Sequence, residues 1–458
     1  MASWLVGAAA APGDDARPPV PLAPLDFKSK IDPLAKPLVD DGYVVGCAIG
    51  IMKEDRTQVL AYGETEKGSG RAPDGDTVYE IGSITKTFTA IMLSDMARRG
   101  ELKLDDAVQA LLPQDQVTIP KRGEKPITLA DLATHHSGLP RMPGNFKPAD
   151  PRNPYADYTV KQLYEFLSAS KPARDPGQGY EYSNLAVGLL GHILALKAQT
   201  GYESLLTDRI LKPLKMSDTG ITLTESQRKR LAPPYNAALK LDASWDLPTL
   251  AGAGAVRSTV NDMLKYLAAN LATDEAPLTK SIAATHAPRH KIFGNQAIGL
   301  GWHIAGDGAT RWHSGQTGGY ACYAAFIPGR NIAVVVLANT ASTEVPAFGE
   351  SILRVALGID VKPVVRRKAI EVDEATLKAY VGVYPIAPTL IMTITVEDGQ
   401  LMAQLTGQEK LPLFAESKTK FFYKIVDAQV SFVADEKGAV TKLILHQNGR
   451  DMPAGKVK

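Results

Sequence analysis

The chain has 458 residues, of which 45% are hydrophobic and 22% charged, with 51 Lys and Arg against 49 Asp and Glu. That length accommodates two or three domains of about 100–200 residues, and a formal charge of +2 argues against a nucleic-acid binder that works by bulk electrostatics. Two cysteines exclude a disulfide-stapled scaffold or a multi-cysteine metal cluster, and no apolar run approaches the roughly 18 residues of a membrane-spanning helix.

In chain order, Trp4–Val6 and Gly7–Ala11 read as the tail of an export signal without its basic start, a lean toward a periplasmic or secreted protein. Residues 12–24 are a Pro- and Asp-rich flexible lead-in. Tyr43–Met52 and Thr57–Tyr62 form a hairpin around Lys53–Arg56, and Val78–Ile81 is a short extended piece ending at Gly82. From Ser83 the period becomes helical: Ile84, Phe88, Ile91, Met92 and Met96 recur at spacings of three or four, and Gly100 closes the helix. Residues 101–256 are mostly helix and loop, with Pro-rich stretches at 140–154 and 172–177. Strands return at Ile298–Ile304, Thr310–Ser314, Tyr320–Ile327 and Ile332–Ala338, and Val345–Leu357 is a helix. Cys47 and Cys322 each lie in an apolar β-run and read as free buried thiols, with a bridge between them left open.

Residues 360–379 read as a linker. Beyond it, Leu390–Val396 and Gln400–Leu405 flank Asp398-Gly399, a hairpin signal, and β-runs follow at 420–426, 428–433 and 440–446. The expected fold is α+β, an antiparallel sheet flanked by helices plus an all-helical region. The expected organisation is a leader over 1–24, a catalytic domain over 25–365 and a small antiparallel β-barrel-like domain over 366–458.

Three short motifs carry chemistry. In Ser83-Ile84-Thr85-Lys86, a helix starting at the serine puts the lysine one turn on, on the same face, where it can take the hydroxyl proton. The helix start also aims N–H groups at a developing oxyanion. Ser168/Lys171, Ser226/Lys229 and Ser417/Lys420 share the spacing but lack a preceding strand with glycine and a following amphipathic helix. In Tyr182-Ser183-Asn184, a tyrosine beside a lysine could be pushed toward phenolate and act as a base, and an asparagine amide could hold a substrate amide. The bland alternative is a tyrosine at a helix cap with a capping Ser or Asn. In His313-Ser314-Gly315, followed by Gln316, alternation puts His313 and Gly315 on one face, and the glycine leaves room for a substrate along the strand. A surface histidine beside a bend glycine is the bland alternative there.

Ser-x-x-Lys, Tyr-x-Asn and His-x-Gly, in this order and at these separations, resemble the serine penicillin-recognising enzymes: class C β-lactamases and low-molecular-weight D-Ala-D-Ala peptidases and esterases. Leu129–Pro140 (LADLATHHSGLP), Pro213–Thr219 (PLKMSDT), Ala251–Asp262 (AGAGAVRSTVND) and Phe326–Asn339 (FIPGRNIAVVVLAN) support the resemblance, which covers about residues 27–360. It implies Ser83 as nucleophile, Lys86 as activating base or relay, and Tyr182 in leaving-group protonation. It implies Asn184 on the substrate side-chain amide, and an oxyanion hole from the backbone N–H groups of Ser83 and Gln316. Two departures stand out. Most class C β-lactamases have lysine where this chain has His313, which removes a permanent cation unless Arg311 or Arg141 replaces it. Met142 falls where that class often offers an amide.

The leading expectation is a hydrolase that cleaves β-lactams or D-Ala-D-Ala-type peptides through an acyl-serine. An esterase on the same scaffold and a non-catalytic binder are the alternatives; no Gly-x-Ser-x-Gly elbow supports an α/β-hydrolase. A zinc hydrolase is weaker still: His135-His136 reads as structural at a helix end, and Pro288 breaks the spacing of His286 and His290. His192, His303 and His446 read as histidines with local partners. No cofactor, metal, nucleic acid or membrane-spanning segment is implied; the partner is a small-molecule or peptide substrate.

Overall fold

The computed structural model describes residues 25–364, 366–408 and 410–457. The expected leader and its apolar Trp4–Ala11 run lie outside them.

The first sheet has ten candidate contributors along the chain, eight of which join it. Its strands are β1 (Gly46–Lys53), β2 (Arg56–Gly63), β5 (His290–Lys291), β6 (Ala297–Ile298), β7 (His303–Ile304), β8 (Arg311–Gln316), β9 (Ala321–Ile327) and β10 (Ile332–Ala338). The other two, β3 (Tyr79–Glu80) and β4 (Arg257–Ser258), pair only with each other. The order across the large sheet is β2-β1-β10-β9-β8-β7-β6-β5, antiparallel throughout. The central strands β9 and β10 are buried at every position, so they read as unbroken apolar runs rather than as alternation.

One face is covered by the helices Lys28–Asp40 and Glu344–Ala356, whose Ile31, Leu34, Leu38, Val345, Phe348 and Ile352 join one core with Cys47, Val334 and Val336. The other face carries Ala48, Cys322, Phe326 and Val335 into a larger core shared with the helices Thr85–Arg98, Asn184–Lys197 and Val260–Leu271. Cys47 and Cys322 are both free and buried. They belong to the cores on opposite faces of the sheet, which closes the open question of a bridge between them.

Two elements differ from expectation. The run Ile298–Ile304 is interrupted after β6, because Gly301 takes φ +71° and a Cβ there would sit 2.9 Å from the Lys86 carbonyl. The stretch 360–379 is not all linker. Glu374–Tyr380 is a helix capped by Asp373, whose Oδ1 accepts from Thr376 N–H at 2.9 Å, and Leu377 and Tyr380 are buried.

The C-terminal part is a second eight-stranded antiparallel sheet running in sequence order from β11 (Gly382–Ala387) to β18 (Arg450–Gly455). Val457 N–H donates to the Val383 carbonyl at 3.0 Å, tying the end of this sheet back to its start. Three of its strands gave no signal in the sequence: β11, Lys410–Ala415 and β18. Each contains a proline (Pro385, Pro412, Pro453), which weakens a strand reading and is tolerated only where its missing donor is not needed. The two parts share buried surface: Phe414 and Phe422 join the core built on the Lys28–Asp40 helix and Tyr43.

Candidate active site

The site begins with a turn. β3 ends at Glu80, and Gly82–Ile84 forms a single 3₁₀ turn that leads into the Thr85–Arg98 helix. Gly82 has φ +49°, which favours glycine, and a Cβ there would sit 2.7 Å from Gln316 N. A Cβ on Gly315 would lie 2.0 Å from the Ile81 carbonyl oxygen. The end of β8 and the Ser83 turn therefore pack backbone against backbone. This corrects the expectation that Gly315 leaves space for a substrate: the space is filled by the chain's own Ile81–Ser83.

Ser83 is half-buried and Lys86 wholly buried. Lys86 Nζ lies 2.9 Å from Ser83 Oγ and donates to the Ala253 carbonyl at 2.6 Å. Burial, then the positive charge of Arg141, holds this amine well below the ordinary lysine range. The rival pairs are otherwise engaged. Ser168 Oγ accepts from Thr118 N–H, Lys229 pairs with Glu225, and Ser417 Oγ accepts from Lys420 N–H.

Tyr182 precedes the Asn184–Lys197 helix. Ser183 caps that helix by accepting from Ala186 N–H at 2.9 Å, so the bland cap reading is correct for Ser183. The cap also aims the tyrosine: its ring centroid is 5.0 Å from Lys86 Nζ. Burial pushes the phenol up to about 12, against the lowering influence of a hydrogen bond with Ser83 and of Arg141. The expected drift toward phenolate is thus reversed, because a lysine that is itself held toward neutrality gives a phenolate no counter-charge. Asn184 donates from Nδ2 to the Tyr155 hydroxyl at 3.1 Å, while its Oδ1 is buried without a partner. That oxygen is free to accept an N–H from a bound molecule.

His313 is buried, with Nδ1 2.6 Å from the Ser314 carbonyl. A neutral ring then carries its proton on Nδ1 and presents Nε2 as an acceptor, and Nε2 has no partner. Burial, His303 and Lys86 all push this imidazole well below its usual range, so it supplies no cation. Arg311 does not replace it. Its Nε donates to the His286 carbonyl and its Nη1 to those of Gly308 and Ala309. Arg141 does reach the site: its guanidinium carbon lies 5.2 Å from the Tyr182 ring centroid. Ser314 and Gln316 sit at the end of β8, Gln316 exposed and with its N–H facing Gly82. The structure thus brings Ser83, Lys86, Tyr182, Asn184, His313, Gly315 and Gln316 close together, whereas the Ser314 side chain, opposite Tyr323 in the β8–β9 register, belongs to the other face of the sheet. Among the described residues no group of three or more His, Cys, Asp or Glu is placed to hold a metal ion.

Residues 31–358 match the Beta-lactamase family. The chain belongs to that family. Residues 366–454 match a Domain of unknown function (DUF3471). A D-alanyl-D-alanine-carboxypeptidase/endopeptidase, AmpH, of Escherichia coli K12 is 32% identical over 337 residues, covering 69% of this chain and 85% of that protein. A Beta-lactamase of Pseudomonas fluorescens is 27% identical over 351 residues, covering 69% of this chain and 94% of its own. Among solved structures, a Beta-lactamase/D-alanine carboxypeptidase from Yersinia pestis, complexed with citrate, superposes with a TM-score of 0.63 at 28% identity, covering 72% of this chain and 98% of that one.

Three neighbours of this beta-lactamase-family site were given no role by the sequence. His135 accepts Ser183 N–H on Nδ1 at 3.1 Å and packs its ring 4.5 Å from that of Tyr182. Trp245 lies tilted against Tyr155, with ring centroids 5.3 Å apart, and its backbone N–H donates to Glu80 Oε1 at 2.9 Å. Buried Arg257 ties the same wall together, donating to the Trp245 carbonyl at 2.8 Å and to Glu80 at 3.3 Å. His135 and Arg257 had a sequence cue, since they lie inside the LADLATHHSGLP and AGAGAVRSTVND stretches, and Trp245 had none.

Proposed function

We propose that this chain is a serine hydrolase that cleaves β-lactam or D-Ala-D-Ala-type amide bonds through an acyl-Ser83 intermediate. The observation that carries the reading is the 2.9 Å approach of a buried, depressed amine to a half-exposed hydroxyl. A neutral Lys86 takes the Ser83 proton as Oγ attacks the substrate carbonyl. The resulting oxyanion sits between the backbone N–H groups of Ser83 and Gln316, where loss of one donor typically costs about 10²–10³ in turnover. Tyr182, still protonated, hands a proton to the departing nitrogen as the amide C–N bond breaks, and Lys86 restores it. Water then attacks the acyl-serine, giving up one proton to the same relay, and releases the acid with Ser83 regenerated. Asn184 Oδ1 is placed to accept an amide N–H of the acyl half.

The names of the relatives support this substrate class: one is a carboxypeptidase on D-alanyl-D-alanine and another a β-lactamase. Mass spectrometry after mixing with a penicillin should show one adduct on Ser83, absent from Ser83→Ala. An adduct that persists for hours marks a penicillin-inhibited peptidase, and one lost within seconds marks a lactamase. Ester turnover with no adduct at any drug concentration would replace this reading with the esterase one.

A further inference from the structure

A second serine is bonded to a base, on the C-terminal sheet. Ser431 Oγ lies 2.9 Å from His446 Nε2, and His446 Nδ1 lies 2.6 Å from Asp451 Oδ1. The strand register brings the three together. β15 (Lys420–Phe422), β16 (Ala428–Ala434), β17 (Val440–Gln447) and β18 are successive neighbours. Ala428, Val430 and Phe432 face the core, so Gln429 and Ser431 face outward. Leu443 and Leu445 likewise turn Ile444 and His446 outward. Asp451 stands directly opposite His446. Ser431 is opposite Ile444, which makes it the diagonal neighbour of His446, within reach of an imidazole. On its other side Ser431 faces Lys420.

The order of the contacts is the one that activates a serine. An ionised Asp451 only accepts, so Nδ1 carries the imidazole proton and Nε2 is left to accept from the Ser431 hydroxyl. Nucleophile, base and orienting acid follow one another as they do in serine hydrolases of unrelated folds. Burial does not force the arrangement. Ser431 and His446 are half-buried and Asp451 is exposed, so water alone would satisfy their polar atoms. Beside His446 and Asp451 a cavity of about 200 Å³ opens, walled also by Arg367 and Gln429.

We propose that Ser431 is a second nucleophile of this chain, one that takes a short acyl group from an activated ester. His446 Nε2 takes the hydroxyl proton as Oγ bonds to the ester carbonyl carbon. The ester C–O bond then breaks, and the alcohol leaves with the proton that His446 returns. Two features set the class of donor. Val430 and Ser431 are paired with both β15 and β17, so their backbone donors are committed to the ladders. The developing oxyanion is left to water and to Lys420, which restricts the reaction to esters with a good leaving group and excludes amides. The cavity is smaller than the roughly 300–1,000 Å³ of drug-sized sites, which suits a short acyl chain.

The test uses full-length Ser83→Ala protein, so that the first serine is silent, with p-nitrophenyl acetate as the probe. Peptide mapping by mass spectrometry follows acetylation of Ser431, with exposed Ser417, which has no histidine partner among the described residues, as the internal reference. Ser431 should acetylate at least about 10²-fold faster than Ser417, the usual contribution of a general base. His446→Gln should bring Ser431 down to the reference rate, and Asp451→Asn should lower it less. Far-UV circular dichroism checks that each variant is folded. Urea unfolding separates the other role these bonds can have, a tie between strands. A His446→Gln protein that only loses stability, with Ser431 no faster than Ser417 in its parent, overturns the proposal. So does a Ser431 rate that His446→Gln leaves unchanged. The penicillin adduct of the wild type is read on the Ser83 peptide, so the two serines stand or fall separately.

Discussion

Gly315→Ala probes whether the contact between β8 and the Ser83 turn sets the chemistry. The new methyl would meet Ile81 O at 2.0 Å, Ile81 C at 2.9 Å and Ser83 N at 3.4 Å. Real Cβ contacts essentially never fall below 3.0 Å, and the first two partners are backbone atoms that cannot swing away. The strand and the turn must therefore part by about 1 Å, the gap between the observed approach and an ordinary one. Ser83 N–H and Gln316 N–H lie on the two sides of that seam, so the pair that would cradle the oxyanion is pulled apart. A misplacement of about 1 Å costs on the order of 10²-fold, and loss of one oxyanion donor about 10²–10³. We expect the rate of penicillin acylation to fall by at least about 10², with a stability loss of about 1–3 kcal/mol from overpacking. Stopped-flow acylation and urea unfolding of the same preparation separate the two effects. Gly318→Ala is the control: its methyl would press on the Trp245 Nε1 end of a side chain, at 2.7 Å, and spare the seam. A folded Gly315→Ala protein that acylates at the wild-type rate would refute the argument.

Other outcomes follow from the same structure. Lys86→Met should lower acylation by about 10²–10⁴ and abolish the acid limb of the pH–rate profile, because a base must be neutral to act and Lys86 loses its proton well below the usual lysine range. The same profile should show no fall attributable to Tyr182 until near pH 12, since the phenol keeps its proton to about 12. His303 is pushed down to about 4 by burial and then by Lys86. Its folded value lies below the unfolded one near 6.5, so its share of stability is complete above about pH 6.5 and is lost as pH falls toward 4, by about 3 kcal/mol. Urea unfolding at pH 7 and 4.5 should show a smaller drop in His303→Gln than in the wild type; an equal drop rejects the assignment. Phe422 is 1% exposed and joins a core of the first sheet, so Phe422→Ala should cost about 3–5 kcal/mol. Calorimetry should show that loss at the transition of the catalytic part; a shift confined to a separate C-terminal transition counts against a shared core.

The residues that do local chemistry were legible because local pattern dictates them. Ser83 and Lys86 lie three apart at a helix start, and Ile84, Phe88, Ile91 and Met92 fix which face is buried. The hairpin at Asp398-Gly399 was equally plain, with both residues at positive φ. Long-range placement was not legible. That Gly315 faces Ile81, 234 positions earlier in the chain, depends on how two strands meet, and the sequence suggested a substrate there instead. The Tyr182 ionisation was misjudged for a related reason. Proximity to a lysine favours phenolate only if that lysine is charged, and whether it is charged depends on its burial, which no local pattern shows. The link between Arg257 and Glu80 was not legible because they are joined across β4 and β3, whose two-residue pairing no spacing announces.

Burial also explains why Lys86 and the imidazoles around it are held away from their charged forms. A neutral amine is satisfied by the Ala253 carbonyl and the Ser83 hydroxyl, whereas an ammonium at the same place would have a third N–H and no carboxylate to face. His135, His303 and His313 are held below the usual imidazole range for the same reason, each penalised by burial and then by the neighbouring Lys86 or another imidazole. In the proposed mechanism, proton transfer from Ser83 to Lys86 would create an ammonium and, on attack, an oxyanion held by backbone N–H groups that were already in place. The two charges form together a few ångströms apart, in surroundings too dry to screen them, so each stabilises the other most where the barrier is highest. A carboxylate built into this wall would have stabilised the ammonium beforehand, kept Lys86 protonated at rest and cancelled that gain. Under the proposed mechanism, having no acid beside Lys86 among the described residues would thus help activate the serine.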